Sequence, residues 1–389
     1  MVVTSIVRNR GRALGIVIAL AMSGTLVVTS AAFGAGDPVQ SGKLKLKLSS
    51  GFKNQLKSNH VGMKPKSFSL TGGTLDPVTG TGTVNLKGKL TFKKGSKKVV
   101  YKKLTAKIGS GGYVKGKAGK VFKLKGGTVT RNGFGANVTG VKLSFLKGAA
   151  KAINKKLGLH SLHKGSAGTA SANNVQPSTV TSVSGSSVLA ANLVTFAKFG
   201  HHCVNPLAPG GITPVAPATA PSATSFSFPV TGGSLSPLGT SGTAISTGGI
   251  QITQNVFVDT GTPGCDEFAL SGTRRVTQTD LTLDLNSKQI QAHIVIGGTG
   301  NTALDGDKGS AFIGTIDMTG ATVTADPSTR KITITNAAAA FNATSALVLN
   351  GVFPCSAGDG FDATTGCTGP NAFVAGDPIG IVSFNGQAQ

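Results

Sequence analysis

Few residues in this chain have the type and spacing to do chemistry. His201-His202-Cys203 sets two imidazoles beside a thiol, a grouping that can ligate a metal or a haem iron; with Cys203 in a disulfide, the histidines are exposed loop residues or ligands. Asp305-Gly-Asp307-Lys-Gly309 has the opening spacing of a calcium loop but none of its later acidic ligands, and reads as a tight hairpin turn. Asp359 and Asp362 are a similar, weaker pair. Gly111-Gly-Tyr-Val-Lys-Gly116-Lys117-Ala118 approaches a phosphate-binding loop, yet Ala118 stands where a Ser or Thr would hold Mg²⁺, and no helical pattern follows. There is no Gly-x-Ser-x-Gly, and Glu267 is the sole glutamate, which excludes paired-Glu acid–base designs. The expectation is a protein that binds and does not catalyse, with no metal site.

The plentiful functional group is the lysine amine. The formal net charge is +24, and it is unevenly divided. Residues 36–170 hold 28 Lys and Arg against two Asp (Asp37 and Asp76), whereas residues 171–389 hold 7 against 12 Asp and Glu. Lys43-Leu-Lys-Leu-Lys-Leu48 alternates strictly, and Leu86, Gly88, Leu90 and Phe92 alternate with Lys87, Lys89, Thr91 and Lys93, so the lysines belong on a solvent face. Such a face can serve only solubility and edge protection. An excess of this size points beyond that, to a polyanion-facing surface that includes Lys87, Lys89, Lys93, Lys94, Lys97, Lys98, Lys102 and Lys103. The matching partners are anionic cell-envelope polymers, lipid headgroups or nucleic acid bound without sequence specificity.

The elements that must position these groups are β. Phe68-Ser-Leu-Thr-Gly-Gly-Thr-Leu-Asp-Pro-Val-Thr-Gly-Thr-Gly-Thr-Val84 recurs as Phe228-Pro-Val-Thr-Gly-Gly-Ser-Leu-Ser-Pro-Leu-Gly-Thr-Ser-Gly-Thr-Ala244, 17 positions without a gap, of which 8 are identical. Lys97-Lys98-Val99 to Ile108 then matches Arg274-Arg275-Val276 to Leu285, and Ala149–Asn154 matches Ala337–Asn342, with about thirty residues inserted after Asn342. Short helices are expected at Gly51–Asn59 and at the two Ala-rich segments. The predicted fold class is all-β: two tandem antiparallel β-sandwich or barrel-like modules with one or two short helices each. Residues 1–35 read as a signal peptide, with Arg8, Arg10 and Arg12 ahead of an apolar run, an uncleaved anchor being the alternative. The modules are 36–170 and 187–389, with 171–186 as linker. No later run is long enough to span a membrane, so a secreted or surface location follows. The four cysteines suit two disulfides: Cys355 with Cys367 across a Gly/Asp/Thr-rich loop, leaving Cys203 with Cys265, while two other connectivities stay open.

The opening Phe-x-(Leu/Val)-Thr-Gly-Gly-(Thr/Ser)-Leu-x-Pro, the Ala-Ala-x-x-x-Asn near each end, and Phe373-Val-Ala-Gly-Asp-Pro-Ile-Gly380 resemble the haem-transport-associated (HtaA-type) domain of actinobacterial surface proteins. The resemblance covers about 43–170 and 187–389, and implies β-rich exported modules with haem as ligand. Members of that family hold the iron through a Tyr in an aromatic segment before the Phe-Pro-x-Thr-Gly-Gly strand. This chain has no Trp, and its two tyrosines, Tyr101 and Tyr113, lie downstream of that strand. His60, with Met63 nearby, and His201 and His202 occupy the corresponding pre-strand region of each copy. The haem-ligand candidates are therefore His201, His202, His60, Tyr101 and Tyr113.

Overall fold

The structure, a computed structural model, describes residues 36–197, 211–259, 268–353 and 373–388. The N-terminal segment and all four cysteines lie outside the described residues, so the disulfide assignments do too. Among the described residues no helix is long and apolar enough to cross a membrane.

Alternation builds the strands. In 43–48 the leucines are buried and the lysines between them exposed. The first module runs β1 (Asp37–Leu48), α1 (Ser50–Ser58), β2 (Gly62–Lys64), β3 (Ser67–Leu75), β4 (Gly82–Lys94) and β5 (Lys97–Ile108). It continues with β6 (Tyr113–Gly116), β7 (Gly119–Lys125), β8 (Thr128–Asn132), β9 (Gly135–Phe145), α2 (Lys147–Leu157) and β10 (Gly165–Pro177). The order β1-β3-β4-β5-β6-β7-β9-β10 closes on itself, because β10 pairs with both β9 and β1. Eight antiparallel strands thus form a barrel with no free edge.

The second module repeats the plan with β11 (Val180–Thr181), β12 (Val183–Ala191), α3 (Leu193–Ala197), β13 (Ile212–Val215), β14 (Thr219–Ser222) and β15 (Ser225–Leu235). There follow β16 (Gly242–Ser246), β17 (Gly249–Asp259), β18 (Phe268–Asp284), β19 (Gln289–Gly297) and β20 (Gly306–Asp317). The last elements are β21 (Thr322–Asp326), β22 (Lys331–Phe341), α4 (Ala343–Val352) and β23 (Pro378–Ala388). Its ring is β15-β12-β23-β22-β20-β19-β18-β16, with β16 returning to β15. The all-β, two-module reading is the observed architecture. Most of 171–186 is strand: β10 extends to Pro177 and β12 begins at Val183.

The Thr-Gly-Gly motif shared by the copies is a device of the fold. At Gly73 (φ 98°) and Gly233 (φ 124°) a Cβ would run into the carbonyl oxygen of Thr83 or Thr243 on the next strand, so only glycine lets the two backbones pass there. The following Asp76 accepts from the amides of Val78 (2.7 Å) and Thr79 (3.1 Å), and Ser236 plays the same part for Thr240 and Ser241.

One expectation is overturned. The first Ala-rich segment lies in α2, but the second, Ala337–Phe341, is the end of strand β22. Its Ala337, Ala339 and Phe341 alternate inward, and β20 and β23 flank it on both sides, so tertiary pairing overrides alanine's helical preference. The helix starts one residue later, where Asn342 and Ser345 exchange side chain-to-amide hydrogen bonds of 2.7 and 3.1 Å. The proper counterpart of α2 is therefore α4, and the insertion falls between α4 and β23.

The modules are joined by a buried polar contact and an apolar plug. Asp37, at the start of β1, accepts from the Thr181 amide (2.9 Å) and hydroxyl (3.0 Å) and pairs with the guanidinium of Arg330, which is 0 % exposed. Phe134, from the β8–β9 turn, packs in one cluster with Val183, Leu235, Ile332 and Phe384 of the second barrel. Burial pushes the Asp37 carboxyl up and the Arg330 guanidinium down from their ordinary values, outweighing the pairing and the hydrogen bonds. Asp37→Ala alone is expected to lower stability by about 3 kcal/mol, because Arg330 stays buried. Adding Arg330→Met is expected to restore most of that loss, and urea-unfolding midpoints of the two variants check it. In the turn that leads to Arg330, hydrogen bonds from Ser328 and Thr329 hold the Asp326 carboxyl down at about 2. A depressed carboxylate stabilises above its unfolded value and loses that contribution as pH falls through its folded one. The deficit of Asp326→Asn is thus expected in full above the ordinary value of 3.8 and to vanish toward pH 2, in thermal unfolding followed against pH.

Candidate functional site

The barrel turns its lysines outward in opposed pairs. On the β4–β5 hairpin Lys89 faces Lys102, Lys93 faces Lys98 and Lys94 faces Lys97. Farther round the sheet, Lys115 faces Lys120 and Lys125 faces Lys142. Like charges directly opposite across an antiparallel pair destabilise it, and carboxylates usually intervene. None do here: among the described residues no lysine of this barrel is in an ion pair. Lys87 and Lys103 sit where the hairpin register slips, Lys103 with φ 50°. The eight lysines singled out from the sequence are therefore brought together on one hairpin.

The positive surface continues past that hairpin. Lys97 Nζ comes 3.5 Å from where a Cβ of Gly158, the left-handed C-cap of α2, would lie. The outer face of α2 and the loop after it form a groove lined by Lys147, Lys151, Lys155, His160, His163 and Lys164. Asn154 clamps that loop by donating to the Leu162 carbonyl (3.0 Å) and accepting from its amide (3.3 Å). His160 and His163 were not among the sequence candidates. Their signal is only the His-x-x-His spacing among lysines, and the fold of the loop is what sets them on the groove.

Among the described residues the haem-ligand candidates Tyr101, Tyr113 and His60 occupy separate places. Tyr101 is 2 % exposed in the first barrel's core, its ring edge-on to Phe92 at 6.2 Å, and burial raises its phenol above the ordinary value. Tyr113 lies on the outside under the ammonium groups of Lys120 (4.6 Å) and Lys115 (5.5 Å). His60 is exposed in the turn after α1, while Met63 is buried. His201 and His202, like Asp359 and Asp362, lie outside the described residues. Asp305 accepts from the Thr299 amide (3.1 Å) and hydroxyl (2.7 Å), and Asp307 from the Gly309 amide (2.7 Å), so both close turns. Among the described residues no three His, Cys, Asp or Glu side chains are grouped to hold a metal ion. Gly111–Ala118 spans the approach to β6, β6 itself and the turn into β7.

No family model matches the chain, and no curated protein does. Among solved structures, the haem-binding protein HtaB from Corynebacterium glutamicum is similar at 15 % identity and a TM-score of 0.32, over 54 % of this chain and 96 % of that one.

Proposed function

We propose that the chain is an exported, non-catalytic binding protein of the cell envelope, whose first barrel holds an anionic polymer on its lysine face. The observation that carries this reading is the set of five opposed lysine pairs with no carboxylate between them. Each pair weakens the isolated barrel, and a polymer bearing a charge at every repeat would relieve all of them together. Export rests on the basic and apolar N-terminal segment.

Binding to inorganic polyphosphate is expected to weaken steeply with salt. Exchanging Lys89, Lys93, Lys98 and Lys102 for Gln is expected to flatten the plot of log affinity against log salt concentration by roughly three, at about 0.7 per charge removed. A shallow salt dependence, or a slope that ignores the four changes, contradicts the reading.

Haem capture is the second reading, favoured by the Phe228-Pro-Val-Thr-Gly-Gly233 resemblance. Tyr101 is enclosed in the core, whereas His60 and Tyr113 keep contact with solvent. A haemin titration is expected to give a saturable Soret band that disappears in His201→Ala/His202→Ala and persists in Tyr101→Phe. A flat titration removes haem from consideration.

A further inference from the structure

The two barrels share a plan but not an interior. In the first, Phe52, Phe92, Phe122 and Phe145 lie with ring centroids 5.1 to 6.3 Å apart, and Tyr101 stacks edge-on to Phe92. Strand register gives the fillers on β4, β5 and β7 their counterparts in the second. Tyr101 faces Leu90, and Gln278 faces Ile250; Phe92 faces Val99, and Ile252 faces Val276. Phe122 faces Phe145, and Gly314 faces Phe341. The repeat aligned at Phe68 and Phe228 adds Leu86 against Ser246 and Val84 against Ala244. These exchanges remove volume, of which Leu283 in place of Ala106 and Ile379 beside Gly314 return a part.

What remains is an apolar cavity of about 70 Å³ inside the second barrel, walled by Phe228, Phe341, Ile313 and Ile379 among others. Three polar side chains reach it. Ser187 and Ser246 satisfy each other at 3.0 Å. Gln278 is 7 % exposed and brings the one side-chain amide to the cavity wall. An amide on an otherwise apolar wall offers a ligand a hydrogen bond where little water competes.

We infer that the second barrel binds a small uncharged molecule, a short unbranched chain bearing one hydroxyl or carbonyl, with the chain among the phenylalanines and isoleucines and the polar group on Gln278. An amide both donates and accepts, so a neutral hydroxyl or carbonyl suits it. No charged side chain lines the cavity to balance a carboxylate or an amine. Size sets the length of the chain: an engineered protein cavity of roughly 150 Å³ holds benzene, and at about 70 Å³ this one admits a molecule of about three heavy atoms. The inference concerns the second barrel and stands apart from the polyanion reading.

The test is methyl NMR of the whole chain titrated with ethanol, compared with propane. Saturable shifts are expected at Ile250, Ile313 and Ile379 and not at Ile108 or Ile153 of the first barrel. Gln278→Leu is expected to weaken ethanol by about tenfold while sparing propane, as for one lost buried hydrogen bond. Gln278→Tyr, which copies Tyr101, is expected to abolish binding of both. Should that variant not fold, Ser246→Leu, which copies Leu86, fills the same space. Absence of saturable shifts, equal shifts in both barrels, or binding that survives either filling variant overturns the inference.

Discussion

Asp37 and Asp76 are the only carboxylates in a barrel that holds 28 lysines and arginines, and neither faces a lysine. Asp76 closes the turn after β3 through the amides of Val78 and Thr79. Asp37 is turned to the other module, where it meets Thr181 and Arg330. With both acids committed to backbone and junction, the lysine face has no internal counter-charge, and its neutralisation must come from ions or from a partner. The same assignment explains why the junction is polar although burial works against it. A desolvated pair contributes little net stability, but it penalises any arrangement in which one partner stays buried alone. It therefore acts on how the barrels dock more than on how firmly, and the insertion of Phe134 into the neighbouring cluster adds the apolar contribution.

Closure makes the lysine face tolerable. In an open sheet the repulsion between Lys93 and Lys98 or between Lys94 and Lys97 could be relieved by fraying the hairpin. In a ring every strand is held on both sides, and the aromatic cluster beneath β4, β7 and β9 anchors their inward residues. Alternation then separates the two tasks by residue parity, with inward positions holding the barrel together and outward ones carrying charge. The lysines were legible in the sequence for that reason: period two is local, and 43–48 displays it without any partner strand.

Features that depend on distant pairing left weaker traces. Ala337–Phe341 has the composition of a helix, and only its place between β20 and β23 makes it a strand, so the repeat aligned through its alanines slipped by several residues. The Asp37–Arg330 contact spans 293 positions and has no periodic signature. His160 and His163 stood in the sequence as two unremarked histidines, because nothing local reveals that Asn154 folds their loop back over α2. Tyr101 was singled out as a ligand candidate, and its inward parity on β5, shared with Val99, puts it in the core. By contrast, the Thr-Gly-Gly motif was legible as a repeat and its cause was not, since the blocking carbonyls belong to the following strand.

The divergence of the copies follows from what each surface demands. A barrel that bears opposed lysines needs a filled interior to offset the repulsion, and the first copy keeps its Phe and Tyr fillers. The second copy has shed the lysines: residues 171–389 hold 7 basic against 12 acidic side chains, many of the latter closing turns as Asp305, Asp317 and Asp326 do. Freed from that strain, it can carry the destabilisation of an unfilled cavity, of the order of 24 cal/mol per Å³ in cores that cannot collapse. At the 70 Å³ of this cavity that amounts to about 2 kcal/mol. A closed ring supports such a void, because its walls are held by the strand ladder and not by the side chains they enclose. One scaffold thus separates an outer, electrostatic surface from an inner, apolar one, each placed in the copy whose remaining residues can sustain it.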